Sequence, residues 1–287
     1  MAKKYILNIA ELAARLLPVT IKRWIYQQPG LARIIRSGLN QAAPKGLVPV
    51  EIATGAVTGY KMVLDLKTEK DYWLGTYEFH LQSAIRTWVK PGMVAYDVGA
   101  NIGYITLLFA RTVGNKGKVI SFEALPQNIE RLKANLVENN LEHRIRVESC
   151  AVVDHVGPVG FLVGPSSGTG KAAGSMGRDN VAYPHSITVP GISLDYFVYD
   201  QGNPVPDVIK MDIEGGEVLA LPGMARLISL ARPLILLELH GSKAAQVAWE
   251  ALTSNHYRIY SMQPGYPEVK ACEQLNWKSY LMAKPKS

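Results

Sequence analysis

The chain has 287 residues and a formal net charge of +7, with 48% hydrophobic and 19% charged residues. That length builds one substantial core plus an accessory segment, and the balance excludes disorder, collagen-like repeats and low complexity for the chain as a whole. Charges or prolines interrupt every apolar run before it could cross a bilayer. The two cysteines, Cys150 and Cys272, are far apart, have no zinc-ribbon spacing and point to a reducing, cytoplasmic compartment.

The charge is local. Residues 1–50 hold Lys3, Lys4, Arg15, Lys22, Arg23, Arg33, Arg36 and Lys45 against Glu11 alone, and the rest of the chain is balanced. Within residues 1–46, a basic amphipathic extension, Ile6, Ile9, Ala13, Leu16 and Leu17 recur at helical spacing and Pro18 breaks the pattern. Thr20 can cap a helix over Ile21–Gln27, and Pro29 opens Leu31–Ser37 before Gly38 closes it. Glu11 and Arg15 interrupt what would be the apolar core of a secretory signal. The apolar stripe of residues 1–38 packs on the main domain or on a second subunit, giving a homodimer, or else lies in the plane of an anionic membrane surface, peripheral at its inner face.

Over residues 47–70 the period changes to two, with Val48, Val50 and Ile52 followed by Met62, Leu64 and Leu66 across Gly55 and Gly59, which predicts a β-hairpin. From residue 71 to the end, apolar runs at Val94–Val98, Lys118–Glu123, Ile145–Ala151, Asp207–Asp212, Leu234–His240, Tyr257–Ser261 and Ser279–Ala283 alternate with helical stretches. This is the pattern of an α/β, Rossmann-like sheet, mostly parallel and wound with helices on both faces, whose ligand sits at the carboxyl ends of the strands. Between the third and fourth strands, residues 164–186 open with GPSSGTGKAAGSMG and read as a mobile loop or lid. A phosphate-binding loop is excluded there, because Pro165 stands where the first glycine is needed and Ala172 where a Ser or Thr is needed.

The sharpest signal is Asp97-Val98-Gly99-Ala100-Asn101-Ile102-Gly103 at the end of a strand. Its glycines let the backbone approach a ligand and the following helix presents free N–H groups. Asn101 replaces the middle glycine of a dinucleotide fingerprint, which disfavours NAD. Glu123 closes the next strand, where a carboxylate can accept both hydroxyls of a ribose. An acid on the first strand for an amino-acid end and an acid on the second for a ribose describe S-adenosylmethionine.

With Gly75-Thr76-Tyr77-Glu78, Phe122-Glu123-Ala124, Lys210-Met211-Asp212-Ile213-Glu214-Gly215-Gly216-Glu217 and Leu237-Glu238-Leu239-His240 in the same order, the chain resembles the FkbM family of S-adenosylmethionine-dependent methyltransferases from Gly75 to His240. The resemblance implies a seven-stranded class I methyltransferase fold and O-methylation of hydroxyls on sugars, glycolipids or secondary metabolites, with S-adenosylhomocysteine as product. It implies that Glu78, Asp97, Gly99, Asn101 and Gly103 surround the methionine part of the cofactor, that Glu123 holds the ribose and that Ala151 lines the adenine pocket, with Ala100, Ala124 and Asp212 also among the cofactor contacts.

Transfer to an alcohol requires positioning and removal of a proton. Asp212, Glu214 and His240 reach the ends of adjacent strands: His240 or Asp212 is expected as base, and Glu214 as the group that positions the acceptor or His240. Strand-end carboxylates also suit Mg²⁺, but histidine is a poor ligand for it and no second paired carboxylate is evident, so no metal is expected. Nucleic acid is a disfavoured partner, since no Asp/Asn-Pro-Pro-aromatic turn ends the fourth strand and neither cysteine follows a proline, although the basic helices keep an RNA methyltransferase as the alternative. A cofactor-binding scaffold without activity is the remaining alternative.

Overall fold

The computed structural model describes residues 28–164, 170–177 and 181–286, together with residues 9, 12, 13, 16, 17, 21 and 25. The chain divides into two compact units, Met1–Phe79 and His80–Ser287.

In the first unit, residues 9, 12, 13, 16, 21 and 25 are helical, and the expected cap at Thr20 lies outside the described residues. Helix α1 spans Pro29–Ala42, its proline placed in the first turn where a missing N–H costs nothing. It runs through Gly38, where the sequence predicts a stop. Continuation buries Leu39 and Ala42, and that burial outweighs the ~1 kcal/mol penalty of a mid-helix glycine. The helix ends at Ala43, whose extended backbone is imposed by Pro44. Strands β1 (Leu47–Glu51) and β2 (Lys61–Asp65) form the expected hairpin, with Val48 opposite Leu64 and Val50 opposite Met62. The unit extends past residue 70 because helix α2 (Lys70–Trp73) and the turn after it fold back on the hairpin. Ala53 N–H donates to the Trp73 carbonyl at 2.9 Å, and Gly75 lies so close to Thr54 that a Cβ there would stand 1.9 Å from its carbonyl oxygen.

The second unit carries helices α3 (Phe79–Trp88), α4 (Tyr104–Val113), α5 (Pro126–Val137), α6 (Glu217–Ala220) and α7 (Ser242–Ser254). Its strands are β3 (Val94–Val98), β4 (Lys118–Glu123), β5 (Ile145–Ser149), β6 (Ala151–Val152), β7 (Gly157–Val163), β8 (Lys171–Ala172), β9 (His185–Ile192), β10 (Val208–Met211), β11 (Leu234–His240), β12 (Tyr257–Ser261), β13 (Glu268–Val269) and β14 (Lys278–Pro285). The main sheet has the order β5-β4-β3-β10-β11-β14-β12-β13. The first five of these strands run parallel, and β14 is antiparallel to both β11 and β12. The first seven are the expected seven-stranded, Rossmann-like arrangement, and the two-residue β13 adds an edge. Strand order reverses between β3 and β10, the place where an open α/β sheet holds its ligand. Tyr96, Phe122 and Phe197 interlock in the core with ring centroids 5.1 to 5.9 Å apart.

The third predicted strand breaks at Cys150. Beyond it, β6 leaves the main sheet and pairs with β9 in a second sheet of order β6-β9-β7-β8, which the sequence does not announce. The span expected as a loop, 164–186, holds β8 and the start of β9 in its described part; residues 165–169 and 178–180 lie outside the described residues. Strand β8 forms because Phe161 and Ala172 pair across it and are both buried with Leu125 and Val159. Among the described residues, no helix is long and apolar enough to cross a membrane.

Candidate active site

The turn from β3 into α4 owes its shape to three left-handed residues, Gly99 (φ +76°), Asn101 (φ +50°) and Gly103 (φ +95°). A Cβ on Gly99 would stand 2.0 Å from the carbonyl oxygen of Asp212, and one on Gly103 would stand 2.4 Å from Leu132 Cδ1, so larger side chains are excluded at both. At the end of β4, Glu123 accepts hydrogen bonds from the N–H groups of Asn101 (2.8 Å), Ala124 (3.0 Å) and Leu125 (2.8 Å). Burial raises its carboxyl pKa against the pull of those bonds. Ala124 and Ala151 share one small apolar cluster with Leu125. Gly99, Ala100, Asn101, Gly103, Glu123, Ala124 and Ala151 thus gather at the ends of neighbouring strands. They combine an open backbone turn, a carboxylate at the place for a diol and an apolar slot, a set that fits S-adenosylmethionine.

The Asp97 side chain is 0% exposed and engaged by Thr106 Oγ1 at 2.7 Å and Lys210 Nζ at 3.1 Å. Glu78 belongs to the first unit, where its backbone is left-handed (φ +41°).

The expected catalytic residues converge. Asp212 follows β10, and His240 ends the adjacent β11 with its Nδ1 3.9 Å from Asp212 Oδ1 and its Nε2 3.9 Å from Glu214 Oε2. Glu214 takes a left-handed backbone (φ +54°) ahead of Gly215, which turns its side chain back toward the histidine. Asp212 and Glu214 are 17% and 12% exposed, whereas His240 is fully enclosed behind them. The described residues 173–177 close over this turn: Met176 N–H donates to the Gly215 carbonyl at 3.0 Å, and a Cβ on Gly177 would stand 2.0 Å from the Glu214 carbonyl oxygen.

Glu238 and His240, two apart on a strand, share a face as their spacing implies, and Glu238 lies 3.1 Å from His240 Nε2 through the same oxygen that contacts the Lys278 ammonium. Two neighbours escape the sequence reading: Lys278, and Trp277, half-exposed, which stands edge-on to His240 at 5.8 Å. Lys210 also donates to the Gly99 carbonyl at 2.8 Å, tying the glycine turn to β10.

These contacts sort the charges. Burial first, and then the Glu238 charge, push Asp212 up to about 7 against the pull of Lys210 and His240. Burial would raise Glu238, but His240 and Lys278 hold it down at about 2. Burial would lower His240, but Glu238, Asp212 and Glu214 together raise it, which favours an imidazolium. Glu217 is wholly buried and is pushed up to about 8 by that burial, although Ile213 N–H donates to it at 3.2 Å. Asp212, Glu238 and His240 also offer ligand atoms within 4.8 Å of one another, the group among the described residues able to hold a cation.

The profile of the methyltransferase FkbM domain matches residues 97–263. The chain belongs to the FkbM methyltransferase family. It is therefore an S-adenosylmethionine-dependent methyltransferase. Hexuronic acid methyltransferase AglP of Haloferax volcanii is 26% identical over 187 residues, 64% of this chain and 72% of that protein. The 31-O-demethyl-FK506 methyltransferase FkbM of Streptomyces tacrolimicus is 42% identical over 71 residues, only 24% of this chain and 25% of its own length. Among solved structures, methyltransferase FkbM of Methylobacillus flagellatus KT is 17% identical with a TM-score of 0.44, covering 76% of this chain and 53% of that one. The FkbM domain as matched contains the Gly99–Gly103 turn, Glu123 and the Asp212 cluster, while Glu78, Trp277 and Lys278 lie outside it.

Proposed function

We propose that the chain transfers the methyl group of S-adenosylmethionine to a hydroxyl of a sugar, glycolipid or secondary metabolite. Asp212 carries this reading: its carboxylate is partly open at the end of β10, its carbonyl lies against the Gly99 turn and its pKa is pushed up to about 7. When bound, S-adenosylmethionine supplies an electrophilic methyl group on a sulfonium. An alcohol that attacks this carbon loses its proton as the new C–O bond forms, and a carboxylate titrating near neutrality is well matched to receive it. Of the two expected bases, Asp212 is the one an acceptor can touch. His240 stands behind it as the compensating positive charge, oriented through Nε2 by Glu238, and Glu238 is in turn anchored by Lys278. Glu214 shares the opening and suits hydrogen bonding to a second hydroxyl.

A hydroxyl fits this site better than a carboxylate. A carboxylate acceptor needs no base and would meet the like charges of Asp212 and Glu214. The half-exposed Trp277 ring beside His240 suits the apolar face of a sugar ring, and the likeness to a hexuronic acid methyltransferase supports a sugar acceptor. The test is methyl transfer from isotope-labelled S-adenosylmethionine to a panel of neutral and acidic glycosides, with Asp212→Asn as control. A base-stable methyl ether, lost in the variant, is the expected product. A base-labile methyl ester on a uronate, or transfer unaffected by Asp212→Asn, would overturn the reading.

A further inference from the structure

The first unit's N-terminal stretch has an unusual surface among its described residues. Of the sixteen exposed large hydrophobic residues among the described residues, seven fall within the first 35 positions. Ile9, Leu12 and Leu16, helical and spaced by three and four, are 65%, 57% and 72% exposed. On α1, Leu31, Ile34 and Ile35, at i, i+3 and i+4, lie on one helix face and are 38%, 71% and 39% exposed. A soluble helix normally buries such a stripe. Over residues 1–50 the sequence carries eight basic residues to one acidic, and Arg33 and Lys45 are exposed.

We infer that this surface docks in the plane of an anionic lipid bilayer, with the aliphatic side chains inserted at the level of the acyl boundary and the basic ones on the headgroups. The combination selects this occupant. A second copy of the chain would set two stretches of like net charge against each other, and the repulsion would oppose burial of the stripes. RNA phosphates would satisfy the charges but leave the aliphatic side chains in water. A lipid interface satisfies both at once. The inference does not depend on the identity of the methyl acceptor.

The experiment is flotation of the full-length protein with vesicles of phosphatidylcholine alone or mixed with phosphatidylglycerol, at low and high salt. Retention on the mixed vesicles, weakened by salt, is expected. Leu16→Glu with Ile34→Glu should lower partitioning by about tenfold or more, and Arg33→Gln with Lys45→Gln should lower it on anionic vesicles only. Unchanged calorimetric binding of S-adenosylmethionine shows that each variant is folded. Equal retention on both vesicle types, or variants that float like the parent, would overturn the inference. So would a concentration-dependent dimer dissociated by Leu16→Glu, or salt-sensitive retention on RNA without retention on vesicles.

Discussion

Lys210 and Asp97 stand opposite each other in register on the adjacent parallel strands β10 and β3, and their charged groups meet at 3.1 Å with side chains 4% and 0% exposed. The same ammonium holds the Gly99 carbonyl, so one buried lysine fixes both the sheet at its switch point and the glycine turn that follows β3. Removing only the lysine strands a buried carboxylate. Lys210→Met is therefore expected to destabilise the protein by about 3–5 kcal/mol, read by denaturant unfolding. Adding Asp97→Asn to that variant should recover much of the stability, because no charge is then left alone. It should not recover S-adenosylmethionine affinity, since the Gly99 carbonyl remains unheld. Recovery of both in the double variant would show that the pair serves the sheet alone.

The neighbours of Asp212 make an opposed pair of predictions. Its carboxyl is held near 7, so turnover is expected to rise with pH through that region as the base ionises. The His240 charge lowers this pKa, so His240→Gln should move the rising limb to higher pH. The Glu238 charge raises it, and Glu238→Gln should move the limb to lower pH. Asp212→Asn should remove the limb and cost about 10²–10⁴ in kcat. A pH–rate profile for each variant decides the matter: limbs that stay in place would exclude Asp212 as the titrating base.

The described segment 173–177 packs on the Glu214 turn through two glycines that leave no room for a Cβ. One on Gly177 would lie 2.0 Å from the Glu214 carbonyl oxygen, and one on Gly215 would lie 2.0 Å from the Gly177 nitrogen. Gly177→Ala should push the segment off the turn and raise the acceptor KM while leaving S-adenosylmethionine affinity near that of the parent. Steady-state kinetics with calorimetry separates the two effects. A loss confined to cofactor binding would place the segment on the other side of the site.

Main-sheet strands were legible wherever an apolar run was bounded by turn residues, as at Val94–Val98 and Leu234–His240. The second sheet was not, because β7 to β9 are rich in glycine, serine and proline and gain their order from burying Phe161 and Ala172 against Leu125, a contact between distant segments. The same divide runs through the site. Asp212, Glu214 and His240 could be found from strand ends, but the enclosure of Asp97 depends on the register of β3 with β10, and the anchoring of Glu238 depends on Lys278 from the antiparallel β14. Sequence spacing reports neither. Gly38 misled for a related reason: local propensity argued for a stop, and the burial of Leu39 and Ala42 decided otherwise.

Glu217 links this site to stability. It is wholly buried at the start of α6, and its carboxyl is raised from 4.5 to about 8, so the folded chain keeps a proton that the unfolded chain releases. A carboxyl whose folded pKa is raised contributes its stability below the unfolded value and loses it as pH climbs to the folded one. The loss amounts to about 1.4 kcal/mol per pH unit across that window. Glu217→Gln replaces the neutral acid with a neutral amide of similar shape. The variant should therefore match the parent most closely near pH 4.5 and gain on it steadily up to about pH 8. Thermal unfolding of both proteins across this range tests the prediction. Parallel curves would mean that the carboxyl is not held protonated in the folded state, and a variant that loses ground as pH rises would mean that its ionised form supports the fold.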